Sequence, residues 1–348
     1  MRRRLWVILT ALLLVVAIGD TIAWYFAVRQ MRAGLADWIA ARRAAGWSVT
    51  AAAPEPGGWP LAATLTLGDV ALQGGAPDIP DGLDWQAQRV VLRLDFFRPL
   101  VLRIDAEGPQ HLRFADAPDI PYTAGRLRLL VPLRADPSGQ ALELRGEALR
   151  ASVPVGGADD ALTLGRLDVD AVLSPTAARG EPAVSMSAKA DGIGLPTRVN
   201  WVLGPRIASV VADGALTGPL PHVIGLTACA TAWRDAGGSL DVQRLQMHWG
   251  VLGLTARAKL ALDTQLQPAG TGTAQVSGYA ETMDALARNG VMSRSAATTA
   301  KAVLSLLSVK PADGGPSEVE VPLSLKYRTL SMQQLPLVRL PELDWPQP

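Results

Sequence analysis

Leu92-Arg93-Leu94-Asp95-Phe96, a break at Arg98-Pro99, then Leu100-Val101-Leu102-Arg103-Ile104-Asp105 is the stretch that decides the fold. Every second residue is apolar, and of the residues between them all but Val101 carry charge. A period of two sends successive side chains to opposite faces of a strand, so the stretch reads as two strands around a turn. One face is apolar and the other wet, the mark of antiparallel sheet. The alternation recurs on both sides. Leu61, Ala63, Leu65 and Leu67 show it upstream. Downstream, Leu127, Leu129, Val131 and Leu133 alternate with Arg126, Arg128 and Pro132, and Leu142 and Leu144 with Glu143 and Arg145. Leu162, Leu164, Leu167, Val169, Val184 and Met186 mark further strands. Pro56-Gly57-Gly58, Gly74-Gly75, Asp81-Gly82, Pro137-Ser138-Gly139, Gly156-Gly157 and Asp191-Gly192 supply turns between them. No helix is expected from Trp47 to near Gly278.

The chain opens differently. Arg2, Arg3 and Arg4 precede an apolar run over residues 5–28 in which Asp20 is the only charge. Such a run matches a hydrocarbon core of ~30 Å at 1.5 Å per helical residue. Basic residues hold the preceding tip, residues 1–4, in the cytoplasm, which sends the rest of the chain across the membrane. A cleaved signal peptide is the alternative, with Ala17-Ile18-Gly19 as small residues before the cut. Against it, the apolar run resumes after Asp20, the helical pattern runs on past Val28, and Trp6 and Trp24/Tyr25 are spaced like two interfacial belts. No cysteine lies near the start to carry a lipid. Asp20 sits close to the outer interface, where its carboxylate reaches headgroup water.

Past Val28, Met31, Leu35, Trp38 and Ile39 form one helical stripe, with Gly46 as the stop. Residues 29–45 read as a stalk continuing the span, or as a helix whose Trp38 stripe packs on the β domain. Residues 46–348 form a β-rich domain, with lobes suggested at 46–228 and 229–348. Two short helices are expected near its end, Ala280–Asn289 and Ser295–Ser308, followed by a last strand pair and a Pro-rich tail.

Composition excludes several functions. The formal net charge is +1, which implies no nucleic-acid partner. A single cysteine, Cys229, permits no internal disulfide and no cysteine metal cluster. His111, His222 and His248 lie too far apart in sequence for ligand spacing. No G-x-S-x-G, H-E-x-x-H, Walker or G-x-G-x-x-G motif occurs. Gly270-Thr271-Gly272 lacks a third glycine. Asp168 and Asp170 share one strand face opposite Leu167, Val169 and Ala171, which reads as a solvated face and not as a catalytic pair. His248-Trp249 reads as a packed strand end. No catalytic residue, cofactor or metal is expected. Trp, the commonest aromatic at ten residues, suits places where lipid meets water.

Gly46-Trp47, Gly58-Trp59-Pro60, Leu67-Gly68-Asp69-Val70, the stretch Leu240 to Gly250 leading into Leu252-Gly253-Leu254, and Val321-Pro322-Leu323 together resemble a family of uncharacterised bacterial envelope proteins, known as a domain of unknown function. More widely the chain is similar to AsmA-like proteins of Gram-negative envelopes. That resemblance implies a bacterial inner-membrane tether, a periplasmic location and a long, curved, groove-forming sheet. The family's acidic-Gly turn in the last hairpin is replaced here by Tyr327-Arg328-Thr329.

The expected fold is therefore mainly β: a long curved antiparallel sheet with an N-terminal transmembrane helix and two short C-terminal helices. Two functions follow. In the first, the apolar face is a groove for lipid or another amphipathic molecule, lined by Leu65, Leu67, Leu92, Leu94, Phe96, Leu102, Ile104, Leu127, Leu129, Leu142 and Leu144. In the second, the same residues fill a closed core, and the protein is a non-enzymatic scaffold for envelope partners. Alternation alone serves both. Three helices are little cover for a dozen strands, and wide open sheets curl, which favours the groove.

Overall fold

The computed structural model describes residues 2–74, 82–114, 118–134, 139–221, 226–309, 317–332 and 335–345. Strand dominates, and the named strand pairs are antiparallel. The chain divides into two compact units, Met1–Asp119 with Arg126–Ala135, and Ile120–Gly125 with Asp136–Pro348.

The first unit holds α1 (Arg2–Ala44), β1 (Ser48–Thr50), β2 (Glu55–Gly57), β3 (Ala62–Gly74), β4 (Leu83–Asp95), β5 (Val101–Phe114) and β7 (Arg126–Pro132). The helix stops where expected. Gly46 adopts φ 87°, and the N–H groups of Gly46 and Trp47 bond the last-turn carbonyls of Arg43 and Arg42. β3, β4, β5 and β7 form a ladder, with β1 and β2 both paired to β3.

α1 lies along β3. The Trp24 indole N–H donates to the Gly57 carbonyl at 2.8 Å, and the Arg43 guanidinium to the Val49 carbonyl at 2.6 Å. Gly57 pairs with Thr64, and Val49 with Leu72. Nineteen helical residues rise about 28 Å, and eight strand residues span about 27 Å, so helix and strand run side by side in the same direction. Residues 29–45 are thus no free-standing stalk. The packing stripe is Trp24, Ala27, Val28, Met31 and Leu35; it keeps Met31 and Leu35 of the expected stripe and extends toward the N-terminus, while Trp38 is 46% exposed. Leu61 and Leu100, read from sequence as strand residues, lie in turns. Each keeps one ladder-like bond, accepting from Phe96 N–H and Leu133 N–H.

The second unit begins with β6 (Ile120–Thr123), paired to β8 (Gln140–Val155). Then come β9 (Ala158–Leu173), β10 (Pro182–Gly194), β11 (Arg206–Thr217), α2 (Leu226–Asp235), β12 (Leu240–Trp249), β13 (Leu252–Leu262) and β14 (Pro268–Ser277). From β8 to β14 each strand pairs with its successor. α3 (Tyr279–Arg288) and α4 (Arg294–Leu307) precede β15 (Ser308–Val309) and β16 (Glu318–Lys326), and β16 returns to pair with β14. β17 (Thr329–Met332) and β18 (Leu335–Arg339) close the order.

α2 overturns the expectation of no helix before Gly278, and the suggested 228/229 lobe boundary falls inside it. Its ten residues are too few to display a helical period, and Trp233 is the large apolar side chain that anchors it. Trp233 is buried, and its indole N–H donates to the Thr217 carbonyl at 2.7 Å. The ring lies against Gly238, where an added Cβ would meet it at 2.2 Å. The two C-terminal helices fall within a residue of their expected limits, and the Ser293 hydroxyl caps α4 by accepting from Ala296 N–H. The last hairpin turns at Tyr327 and Arg328, both with positive φ, 50° and 63°. This is the conformation that an acidic-Gly pair adopts at less cost. Arg328 is held there by Glu342.

Candidate functional site

Cross-strand register sorts the apolar residues into rows on one face. In the first unit one row runs Leu65–Leu92–Ile104–Leu129, from β3 to β7. On one side of it lies Ala63–Leu94–Leu102–Val131, and on the other Leu67–Val90–Ala106–Leu127. Nine of the eleven groove candidates belong to this unit. All nine except Phe96, which stands in the β4–β5 turn, occupy these rows. The rows are unequally covered. Leu65, Leu67, Val90 and Leu92 are buried in one cluster with Val28 of α1, while Phe96, Leu102 and Ile104 pack around its edge. Leu94, Leu127 and Leu129 are half-buried. The α1 stripe therefore closes the face over β3 and β4. Leu65, Leu67 and Leu92 form core here, not an open trough.

The second unit continues the pattern over more strands. Leu144 pairs with Val169, Val169 with Ala188, Ala188 with Ala212, Ala212 with Leu245, Leu245 with Ala256, Ala256 with Ala274, and Ala274 with Val321. The adjacent row is Gly146–Leu167–Ala190–Val210–Met247–Leu254–Val276–Val319. No polar residue interrupts either row across eight strands, a width of about 34 Å at the usual strand spacing. Leu142 heads a third row with Ala171 and Met186. Burial is graded. Ala274 and Val319, on β14 and β16, are buried, and α4 packs on β16. From β8 to β12 the large residues of the two rows are only half-buried.

Sequence reading found Leu142 and Leu144 but missed the extension through Ala188, Ala212, Leu245 and Met247. Alanine and serine dilute the alternation on β10 and β11, so the period of two is visible only once register supplies the neighbours.

The opposite face is wet and ion-paired. Arg103 and Arg128 both bond the Asp105 carboxylate, at 2.5 and 2.9 Å. Arg145 reaches Asp170 at 2.5 Å, Arg166 reaches Asp168 at 2.7 Å, and Arg244 shares Asp213 with the Ser187 hydroxyl. Asp168 and Asp170 are thus tied into a charge ladder. His111 contacts Asp119 at 2.8 Å, His248 contacts Ser209 at 3.2 Å, and the Cys229 thiol points to the Pro221 carbonyl. His222 lies outside the described residues. Among the described residues no three His, Cys, Asp or Glu side chains gather as metal ligands. A depression lined by Arg234, Asp263, Thr264 and Tyr327 sits at the β13–β14 turn. Arg234 there already bonds the carbonyls of Asp263 and Thr264. The same turn fastens the tail. The Gln267 amide exchanges two hydrogen bonds with the Leu343 backbone, and the Trp345 indole donates to the Leu266 carbonyl.

Three carboxyls on this surface titrate below their ordinary range. The Arg198 backbone N–H lowers Asp160, the Arg166 side chain lowers Asp168, and Ser187 with Arg244 lowers Asp213. A carboxyl with a lowered folded-state value stabilises the fold above its unfolded value and loses that contribution as pH falls through the folded one. The melting temperature should therefore hold from pH 7 to about 5 and decline below about 4. Asp213→Asn should make the decline shallower in a melting series across that range. The effect is small, because all three groups face solvent. A decline that begins near pH 6 would assign it to other groups.

A family model described as an uncharacterized protein conserved in bacteria (DUF2125) matches residues 24–341. The chain belongs to this family. No curated protein and no solved structure matches it. The family match begins at Trp24, the first residue of α1 in the packed cluster. The shared family unit thus includes the closing stripe of α1 as well as the sheet.

Proposed function

We propose that this family member is a single-pass protein of the bacterial inner membrane, anchored by α1, with its N-terminus cytoplasmic and the rest periplasmic. Its apolar sheet face binds or passes lipid or another amphipathic molecule in envelope biogenesis. α1 is the one helix among the described residues that is long and apolar enough to cross a membrane, and Arg2–Arg4 favour this orientation. Because Trp24, Ala27 and Val28 lie on the sheet, the lipid-crossing part is residues 5–23, about 28 Å long.

The observation that carries the binding reading is the pair of unbroken apolar rows over β8–β16, half-buried through β12. A continuous apolar surface of this width exceeds what monomeric proteins ordinarily leave uncovered. An acyl chain fits it without needing any polar group, and the ion-paired outer face keeps the sheet soluble. The function is non-enzymatic on this reading and requires no cofactor. A closed scaffold that binds other envelope proteins draws support from the first unit, where α1 covers Leu65, Leu67 and Leu92.

Photocrosslinking residues at Leu144 and Met247 test the proposal in full-length protein in its native membrane, with Lys189 on the wet face as control. Lipid adducts at the two apolar positions and none at Lys189 are expected. Adducts confined to the protein itself would establish a closed core and the scaffold function.

A further inference from the structure

The end of the first unit from which α1 departs carries an apolar tip. The β2–β3 turn exposes Trp59 and Leu61, at 55% and 60%, and the β4–β5 turn exposes Phe97 at 85% together with Leu100. Leu133, just past β7, is exposed beside them. Register puts these turns at one end. Ala62 pairs with Asp95, Leu94 with Leu102 and Val101 with Pro132, and the Leu133 N–H donates to the Leu100 carbonyl at 2.8 Å. Arg98 and Arg134 are the exposed cations of the same turns.

α1 fixes which way this end faces. It runs parallel to β3 from Thr64 to Leu72, so its residues before Trp24 project past Ala62, on the side of the tip. Thr64 to Ala62 is about 7 Å of strand, equal to four or five helical residues. The Ala62–Asp95 rung thus stands level with residue 19 or 20 of α1, and the turns reach further. Asp20 agrees, being half-buried with one carboxylate oxygen shielded from solvent.

We propose that this tip inserts into the outer leaflet of the bilayer that α1 crosses. The inference rests on the reading that residues 5–23 span the membrane. Those residues fill a hydrocarbon core of ~30 Å only if its outer edge lies near Trp24. With α1 upright, the Ala62 rung then sits about 7 Å inside that edge, and the exposed side chains of both turns sit deeper. The rung itself lies at the ~5–10 Å depth that interfacial apolar groups ordinarily reach, and the side chains of the turns pass beyond it. Tyr25 and Phe26, exposed on the outward face of α1, fall at the edge itself, where aromatic rings concentrate. Arg98 and Arg134 extend their guanidinium groups back to lipid phosphates. The first unit therefore docks on the membrane rather than hanging from a tether, and its β3–β4–β5–β7 ladder starts within the lipid.

The test uses full-length protein in phosphatidylethanolamine–phosphatidylglycerol nanodiscs. In a Cys229→Ser background, single cysteines replacing Leu13, Phe97 or Phe114 carry an environment-sensitive fluorophore, and lipids with spin labels on the acyl chain serve as quenchers. Phe114 is exposed and pairs with Leu83 at the far end of the same sheet. Quenching at 97 should be several-fold stronger than at 114, with a blue-shifted emission, and Leu13→Cys should be quenched as well. Leu61→Cys gives a second tip position should Phe97→Cys fail to fold. Quenching at 13 with 97 and 61 no stronger than 114 would overturn tip insertion while leaving the anchor in place. Absence of quenching at 13 would overturn the membrane span and the tip together.

Discussion

Leu65→Ala should cost the first unit about 3–5 kcal/mol, the upper range for truncating a core leucine. Leu65 is 0% exposed. Its cross-strand neighbours are Pro56 on β2 and Leu92 on β4, and α1 closes the space above it through Val28. Neighbours on two strands and a helix leave no loose side chain to move into the gap, so most of the cavity persists. Leu144→Ala is the matched control. That residue is half-buried, so its loss should cost less than half as much. Urea unfolding followed by tryptophan fluorescence measures both. Equal losses would mean that the two leucines are equally enclosed and that the second-unit face is not open.

A chain starting at Asp20 should melt like the full-length protein, whereas one starting at Ala36 should lose the first unit altogether. The shorter deletion removes no residue of the cluster over Leu65, Leu67 and Leu92. The longer one removes Trp24, Val28, Met31 and Leu35 from the cluster over Leu65, Leu67 and Leu92. Each large apolar side chain contributes about 1.5–3 kcal/mol when fully buried, so buried Val28 and the three part-buried ones together approach the whole stability of a domain. Limited proteolysis should leave the Asp20 chain intact and cut the Ala36 chain within β3–β5. Equal protease resistance in both would show that α1 is dispensable to the sheet.

Much of this architecture was legible. Leu92-Arg93-Leu94-Asp95 can only alternate faces, and β4 keeps that order. The two helices near the C-terminus, expected at Ala280–Asn289 and Ser295–Ser308, form within a residue of those limits. What failed was local. Leu61 and Leu100 continue the alternation by one residue into turns, where period carries no information. α2 was missed because its ten residues hold too few large apolar side chains to show a helical period. Met31 and Leu35 pack as the helical stripe implied, but Trp38 is exposed, and the contact with the sheet extends back to Trp24, whose indole bonds the Gly57 carbonyl. The candidate site was half legible for a different reason. Leu65 and Leu144 have the same sequence environment, apolar between polar neighbours. One is roofed by a helix and the other is not, and that difference comes from the course of α1 over β3, which no period encodes.

The plain meander from β8 to β14 has a consequence for how the protein comes into being. Every new strand there finds its template already in place, because its partner has just left the same stretch of chain. Closing such local pairings costs little loop entropy, so assembly can advance as a travelling edge from β8 onward. At the growing edge one row of unpaired backbone groups is open at a time, and the next strand covers it. A wide sheet is ordinarily an aggregation hazard while it is incomplete. Here the order of the chain shortens that exposure to the time needed to deliver one strand.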